Sequence, residues 1–269
     1  MFSLEIESPP AQRDLLVAEL WEAGSAGIVE SELGVRAFFE DAADREALRA
    51  RFGAAGWRQE EPRDWVAESR ANWEPMSVGS RFFLVPAWRD DPAPDGRFRI
   101  VVNPGMAFGT GRHETTRLCL EALERFVHPG AAMLDVGTGA GILAQAGALL
   151  GAAPVWACDI DPDAVAVARA NIGPRLFVGS ADAIRRGVAD LVAANISPQA
   201  IVRLAPDLLG CLRPEGVALL SGFEPHDVAE IEAEIARHGG VVREVRQKGA
   251  WVLLVVGGKL VGRVSDVRE

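Results

Sequence analysis

The order of apolar and polar positions changes character along the chain. "SLEIES" (3–8) alternates like a half-buried strand, and Val17, Leu20, Trp21 and Gly24 then fall on one helical stripe. "GIVESE" and "VRAFFE" read as two strands turned by Leu33 and Gly34. Leu48 and Phe52 mark a second helix, and "GWRQEE" closes the segment as a last strand. This βαββαβ order predicts a small ferredoxin-like α+β domain over 1–61, a fold that hosts many functions and names none.

The segment "PRDWVAESRANWEP" is bounded by Pro62 and Pro75 and carries Trp65 and Trp73, which predicts an amphipathic linker helix over 62–76. A larger domain, 77–269, follows. "WRDDPAPDGR" reads as a charged surface loop, and from Phe98 strands and helices alternate steadily. "FRIVV", "AMLDVG", "VWACDI", "RLFVG", "DLVAANI" and "VALLSG" are near-continuous apolar strands, while Leu118, Cys119, Ala122, Leu123 and Phe126 line one helical face. Such strands predict a doubly wound, mostly parallel sheet covered on both faces. "VVREVRQKG" and "WVLLVV" are separated only by a turn, which puts an antiparallel hairpin at the C-terminal edge.

Composition narrows the reading. The 269 residues carry a net charge of −10, which disfavours a broad nucleic-acid surface. Only Lys248 and Lys259 are lysines, a bias read as genomic and not chemical. Cys119, Cys158 and Cys211 lie far apart in apolar stretches, so they are expected to be reduced and buried, in a cytoplasmic protein. The four histidines show no metal-ligand spacing. Val136 to Cys158 carries no charge, but its glycines and polar residues suit a strand, turn and buried helix better than a membrane span.

"LDVGTGAG" places Gly137, Gly139 and Gly141 directly after a strand and ahead of a helix, where backbone can approach a ligand. Two chemistries compete for it. Gly139, Gly141 and Ala144 fit the dinucleotide pattern GxGxxG/A; Gly137, Gly139 and Gly141 fit the GxGxG of methyltransferases that use S-adenosylmethionine. Asp159, ending the next strand, suits two ribose hydroxyls in either case. Asp135 favours the methyltransferase, whose cofactor brings an ammonium group near this turn. Asp182, after "RLFVG", is either an acceptor for the adenine amino group or an ordinary loop carboxylate. Asn195, at the end of "DLVAAN", is either a satisfied turn residue or an acceptor for the reacting group. The closing hairpin stands where a dehydrogenase needs a second nucleotide-binding half, so the pattern favours the methyltransferase.

Ahead of that turn runs "NPGMAFGTGRHETT". Taken with "LDVGTGAGIL", "CDIDP", "AANI" and the terminal "WVLLV", it makes the chain resemble the PrmA family, which methylates large-subunit ribosomal protein eleven. The likeness covers the larger domain almost throughout and the smaller one mainly in layout. It implies that Phe108 packs on the nucleoside, that Thr115 and Thr116 sit beside the methionine end, and that Gly137, Asp159 and Asn195 hold cofactor. It also implies that Asn195 meets the substrate amine and that the small domain presents the protein substrate; His113 matches a family histidine, which either braces the loop or moves protons. Asn103, Arg112 and the pair Ser197 and Pro198 depart from the family pattern.

The expected activity is therefore N-methylation of lysine or N-terminal amines by a monomer that binds neither nucleic acid nor membrane. A different protein target, a nicotinamide-dependent oxidoreductase and a non-enzymatic binding module are the rival readings. At pH 7 roughly one lysine in a few thousand is neutral, so such an enzyme must favour the neutral amine by desolvation and by acceptors such as Asn195. No strong general base is evident, and protons are expected to leave to water.

Overall fold

The structure is a computed structural model that describes residues 1–31, 33–53, 55–60, 73–102, 111, 113–172 and 175–258. The chain forms two compact units, Met1–Trp73 and Glu74–Glu269. The linker helix expected over 62–76 falls mostly outside the described residues, and its last residue, Met76, opens a strand.

In the first unit, β1 (Phe2–Glu7), β2 (Gly27–Glu30), β3 (Gly34–Phe39) and β4 (Gly56–Gln59) form a sheet in the order β2-β3-β1-β4, with every neighbour antiparallel. Helices α1 (Pro10–Glu22) and α2 (Arg45–Arg51) stand between them in sequence. Phe2, Leu4, Leu20, Val35, Ala37, Phe39, Leu48 and Phe52 form the core. Trp21 does not join it and is 52% exposed. The buried stripe of α1 is centred on Leu16 and Leu20, and Trp21 lies 100° round the helix from Leu20. The sequence stripe was drawn one residue too far round.

In the second unit, β5 (Met76–Val78), β6 (Phe82–Pro86) and β7 (Phe98–Val102) form a separate three-stranded sheet. "FRIVV" is therefore a strand, but not one of the parallel sheet; it pairs in parallel with β6. The apolar run in "RFFLVP" supplies that partner, a strand the sequence reading did not see.

The large sheet contains β8 (Met133–Val136), β9 (Val155–Asp159), β10 (Leu176–Val178), β11 (Ala189–Asn195), β12 (Leu212–Phe223), β13 (Gly240–Lys248) and β14 (Trp251–Gly258), in the order β10-β9-β8-β11-β12-β14-β13. The first five are mutually parallel, and β14 runs antiparallel to both β12 and β13. Helix α3 (Glu114–Phe126) precedes β8, and α4 (Ile142–Leu149), α5 (Pro162–Ile172), α6 (Pro198–Cys211) and α7 (Val228–Arg237) lie between the later strands in sequence. One core cluster joins Leu134, Val192, Leu220 and Leu254 of the sheet to Ile201 and Leu208 of α6 and Ile231 and Ile235 of α7. Strand order reverses between β8 and β11, the crevice where sheets of this kind hold ligands. The three cysteines are free and buried, and among the described residues no helix is long and apolar enough to cross a membrane.

Candidate active site

A cavity of about 620 Å3 opens at the C-terminal ends of four adjacent strands. Gly137 and Gly139 enter it after β8, Asp159 and Ile160 after β9, Gly179, Ser180 and Asp182 after β10, and Asn195 after β11. Its far wall is the first three turns of α6, with Ala200, Arg203, Leu204 and Asp207. The topology thus brings together Gly137, Gly139, Asp159, Asp182 and Asn195, which come from four separate stretches of sequence.

The glycine turn needs its glycines. Gly137, Gly139 and Gly141 have φ of 70°, 53° and 85°, a region that side chains with a Cβ avoid. A Cβ on Gly137 would also overlap Ile196 Cγ2. The turn is pinned from two sides. Asp159 accepts from the amides of Gly139 (2.9 Å) and Asp161 (3.0 Å), so the predicted ribose carboxylate is also a brace. Asp135 Oδ2 accepts from the Thr138 hydroxyl (2.6 Å) and the Ala144 amide (3.1 Å). Asp135 is 1% exposed and does not line the cavity, and burial raises its pKa from 3.8 to about 6. Its Oδ1 is buried with no hydrogen bond among the described residues. Thr138 was missed by the sequence reading; its signal was the hydroxyl between two glycines, three residues past an acid.

Thr115 and Thr116 are buried in the first turn of α3. The helix is capped by His113: its Nδ1 faces Thr115 Oγ1 at 2.8 Å and accepts from the Thr115 amide at 3.4 Å. Nδ1 is committed to the cap, a bracing role. Thr116 Oγ1 meets Asn195 Nδ2 at 3.5 Å, while Asn195 Oδ1 is buried with no hydrogen-bond partner among the described residues. Phe108, Gly105 and Gly109, with the departures Asn103 and Arg112, lie outside the described residues. The other departure has a local reason: Ser197 caps α6 by accepting from the Ala200 amide (3.4 Å), and Pro198 takes the first helical position.

A second cavity, about 320 Å3, adjoins Asn195 from the other side. His113, Thr115 and Ile196 form part of its wall, Gly222 and Trp251 the rest. The His113 and Trp251 rings meet edge-on, with centroids 4.5 Å apart. Asn195, Ile196 and Ser197 line both cavities. Trp251 was missed as a site residue, because it follows a hairpin turn far from every glycine motif.

Charge separates the two chemistries that the glycine turn allows. Among the described lining residues of the larger cavity, three carboxylates, Asp159, Asp182 and Asp207, face one guanidinium, Arg203. That field suits a cationic sulfonium and opposes a pyrophosphate. Among the described residues no cluster could hold a metal ion.

The fold and this site define a class I S-adenosylmethionine-dependent methyltransferase architecture. The family described as "Ribosomal protein L11 methyltransferase (PrmA)" matches residues 3–259, and the chain belongs to that family. A relative of that name from Symbiobacterium thermophilum is 45% identical over 62% of this chain and 56% of its own length. One from Desulfitobacterium hafniense is 42% identical over 71% of this chain and 63% of its own. The chain thus spans under two thirds of the length of these relatives. A crystal structure of ribosomal protein L11 methylase from Lactobacillus delbrueckii subsp. bulgaricus superposes with a TM-score of 0.65 at 30% identity, over 70% of this chain and 100% of that one.

Proposed function

We propose that this protein transfers methyl groups from S-adenosylmethionine to amino groups, lysine or N-terminal, of large-subunit ribosomal protein L11. Family membership supports the reaction, and one observation carries the chemistry: Asn195 lines both cavities, and its buried Oδ1 has no hydrogen-bond partner among the described residues.

The residues present fit the cofactor. The glycine turn offers backbone that no Cβ screens, and the acidic lining suits a cation. Gly137, Gly139, Asp159 and Asp182 would hold the nucleoside, with Thr116 placed through Asn195 and Phe108 as the family likeness implies. S-adenosylmethionine supplies an electrophilic methyl on a sulfonium centre. The protein's part is to deliver an amine with a free lone pair. Asn195 Oδ1 accepts one N–H of the neutral amine, which aims the lone pair away from the amide. The smaller cavity, with no carboxylate among its described lining residues, does not stabilise an ammonium ion by pairing. The proton leaves to water, since His113 Nδ1 is occupied by the helix cap. Holding the reactants in line supplies the remaining rate.

The first unit has its own cavity of about 730 Å3, lined by Glu5, Glu7, Val29, Leu33 and Arg36. It is larger than the glycine-turn cavity but holds no comparable constellation, and we assign it to recognition of the protein substrate. Absence of a nucleic-acid surface, a monomeric state and a cytoplasmic location belong to the same proposal.

The test mixes purified protein with methyl-labelled S-adenosylmethionine and recombinant L11, and locates label by mass spectrometry. Label on a lysine or α-amine of L11 is expected. Cofactor binding with no label on L11 would overturn the substrate and leave the cofactor assignment standing.

A further inference from the structure

The two cavities share three described lining residues, Asn195, Ile196 and Ser197, so a group handed from the larger cavity to the smaller passes beside them. Two of the three make polar contacts: the Asn195 amide meets Thr116 Oγ1, and the Ser197 hydroxyl caps α6. Ile196 is the apolar one, and it is branched at Cβ. Its Cγ2 occupies the space that a Cβ on Gly137 would need, so the side chain lies directly on the glycine turn of the larger cavity. Its main chain is held from the opposite side. The Ile196 amide donates to the Ser221 carbonyl at 3.0 Å, and its backbone leaves no room for a Cβ on Gly222, a residue of the smaller cavity at φ 102°. The branched side chain therefore stands on the donor side with a backbone that has no space to retreat.

We infer that Ile196 sets the size of the group that is transferred, admitting a methyl on the sulfonium and excluding a longer alkyl chain. This rests on the proposed methyl-transfer function. In the in-line displacement the amine lone pair forms the N–C bond, the C–S bond breaks, and its electron pair stays on sulfur as a neutral thioether; the amine proton goes to water. Nitrogen and sulfur occupy the two ends of that line, so a second carbon has to project sideways from it. An ethyl group carries its CH3 in that direction, against the stiff branched wall that Ile196 presents. A packed apolar wall discriminates one methylene by about tenfold or more.

Calorimetric titration of wild type, Ile196→Val and Ile196→Ala with S-adenosyl-L-methionine and S-adenosyl-L-ethionine, without acceptor, tests this. Wild type should bind the ethyl compound at least about tenfold more weakly than the methyl compound, and Ile196→Ala should bring the two within about twofold of each other. Ile196→Val, which keeps both branches and loses one carbon, should fall between them, and its ratio decides the matter if the alanine variant does not fold. A wild type that binds both compounds equally, or a ratio that truncation leaves unchanged, overturns the inference. With L11 present, the proportion of ethyl to methyl on the product should rise in the same order in intact-mass spectra. Failure to bind either compound would overturn the cofactor reading and this inference with it. Discrimination by size with no label on L11 would support the inference and overturn the proposed substrate alone.

Discussion

Asn195 and Thr116 meet between the end of β11 and the first turn of α3, Nδ2 to Oγ1 at 3.5 Å, and this contact orients the amide. With its nitrogen turned to the threonine, the oxygen is left buried and without a partner among the described residues. A buried acceptor without a partner costs about 1–3 kcal/mol, so its presence at the junction of two cavities marks a site that a ligand completes.

Replacing that oxygen should separate hydrogen bonding from charge. Asn195→Ala removes the acceptor, and kcat should fall about a hundredfold. Asn195→Asp keeps the shape but adds a negative charge, which favours the ammonium form of the substrate and raises its pKa. Its rate should be low at pH 7.5 and recover as pH rises, with the alkaline limb displaced upward from the wild type. A parallel pH profile for the two proteins would show that Asn195 does not touch the amine.

Gly137→Ala tests the glycine turn. The backbone at φ 70° and the overlap with Ile196 Cγ2 act together, one straining the chain and the other pushing Ile196 into both cavities. Left-handed backbone alone costs roughly 1–2 kcal/mol with a Cβ present. Calorimetric titration should show cofactor affinity weakened at least about tenfold in a protein that still unfolds cooperatively. Unaltered affinity would place the cofactor elsewhere.

Much of this site was legible in the sequence, for identifiable reasons. The parallel strands are apolar throughout because both faces are covered, so their ends, and with them Gly137, Asp159 and Asn195, could be placed by pattern. The doubly wound sheet and its edge hairpin follow from the same signal. What escaped was set by tertiary pairing. β5 and β6 are short, and only their pairing takes "FRIVV" out of the main sheet. Trp251 enters the site because β14 lies between β12 and β13, which no local periodicity encodes. Asp135 favours the methyltransferase by its place beside the glycine turn, but its side chain is turned inward to Thr138 and Ala144, a direction visible only once the turn is closed.

That inward carboxyl makes stability depend on pH. Burial raises the Asp135 pKa from 3.8 to about 6. Below pH 3.8 it is protonated in both folded and unfolded chains, and no penalty exists. As pH rises to about 6 the unfolded chain releases its proton first, and the folded state loses roughly 3 kcal/mol relative to acid conditions. Asp135→Asn has no such loss. Denaturant melts of both proteins without cofactor should show the difference between them moving in favour of Asn from pH 4 to pH 7. A constant difference would mean that the buried carboxyl is ionised throughout.

Asp182 separates ligand binding from folding better than Asp159 does. Asp159 accepts two backbone amides, so its substitution would loosen the turn and the cofactor together. The Asp182 side chain makes no hydrogen bond among the described residues, sits exposed in the short turn after β10, and still lines the larger cavity. Asp182→Ala should therefore leave the thermal midpoint of the ligand-free protein nearly unchanged, as surface substitutions stay within about 0.5 kcal/mol. If its carboxylate receives the adenine amino group, the lost bond is worth about 1 kcal/mol at so open a position, or roughly a fivefold weaker cofactor. A cofactor analogue lacking that amino group should bind wild type and Asp182→Ala equally. Should the analogue distinguish them as strongly as the natural cofactor does, Asp182 acts through the general field of the cavity and not through the base.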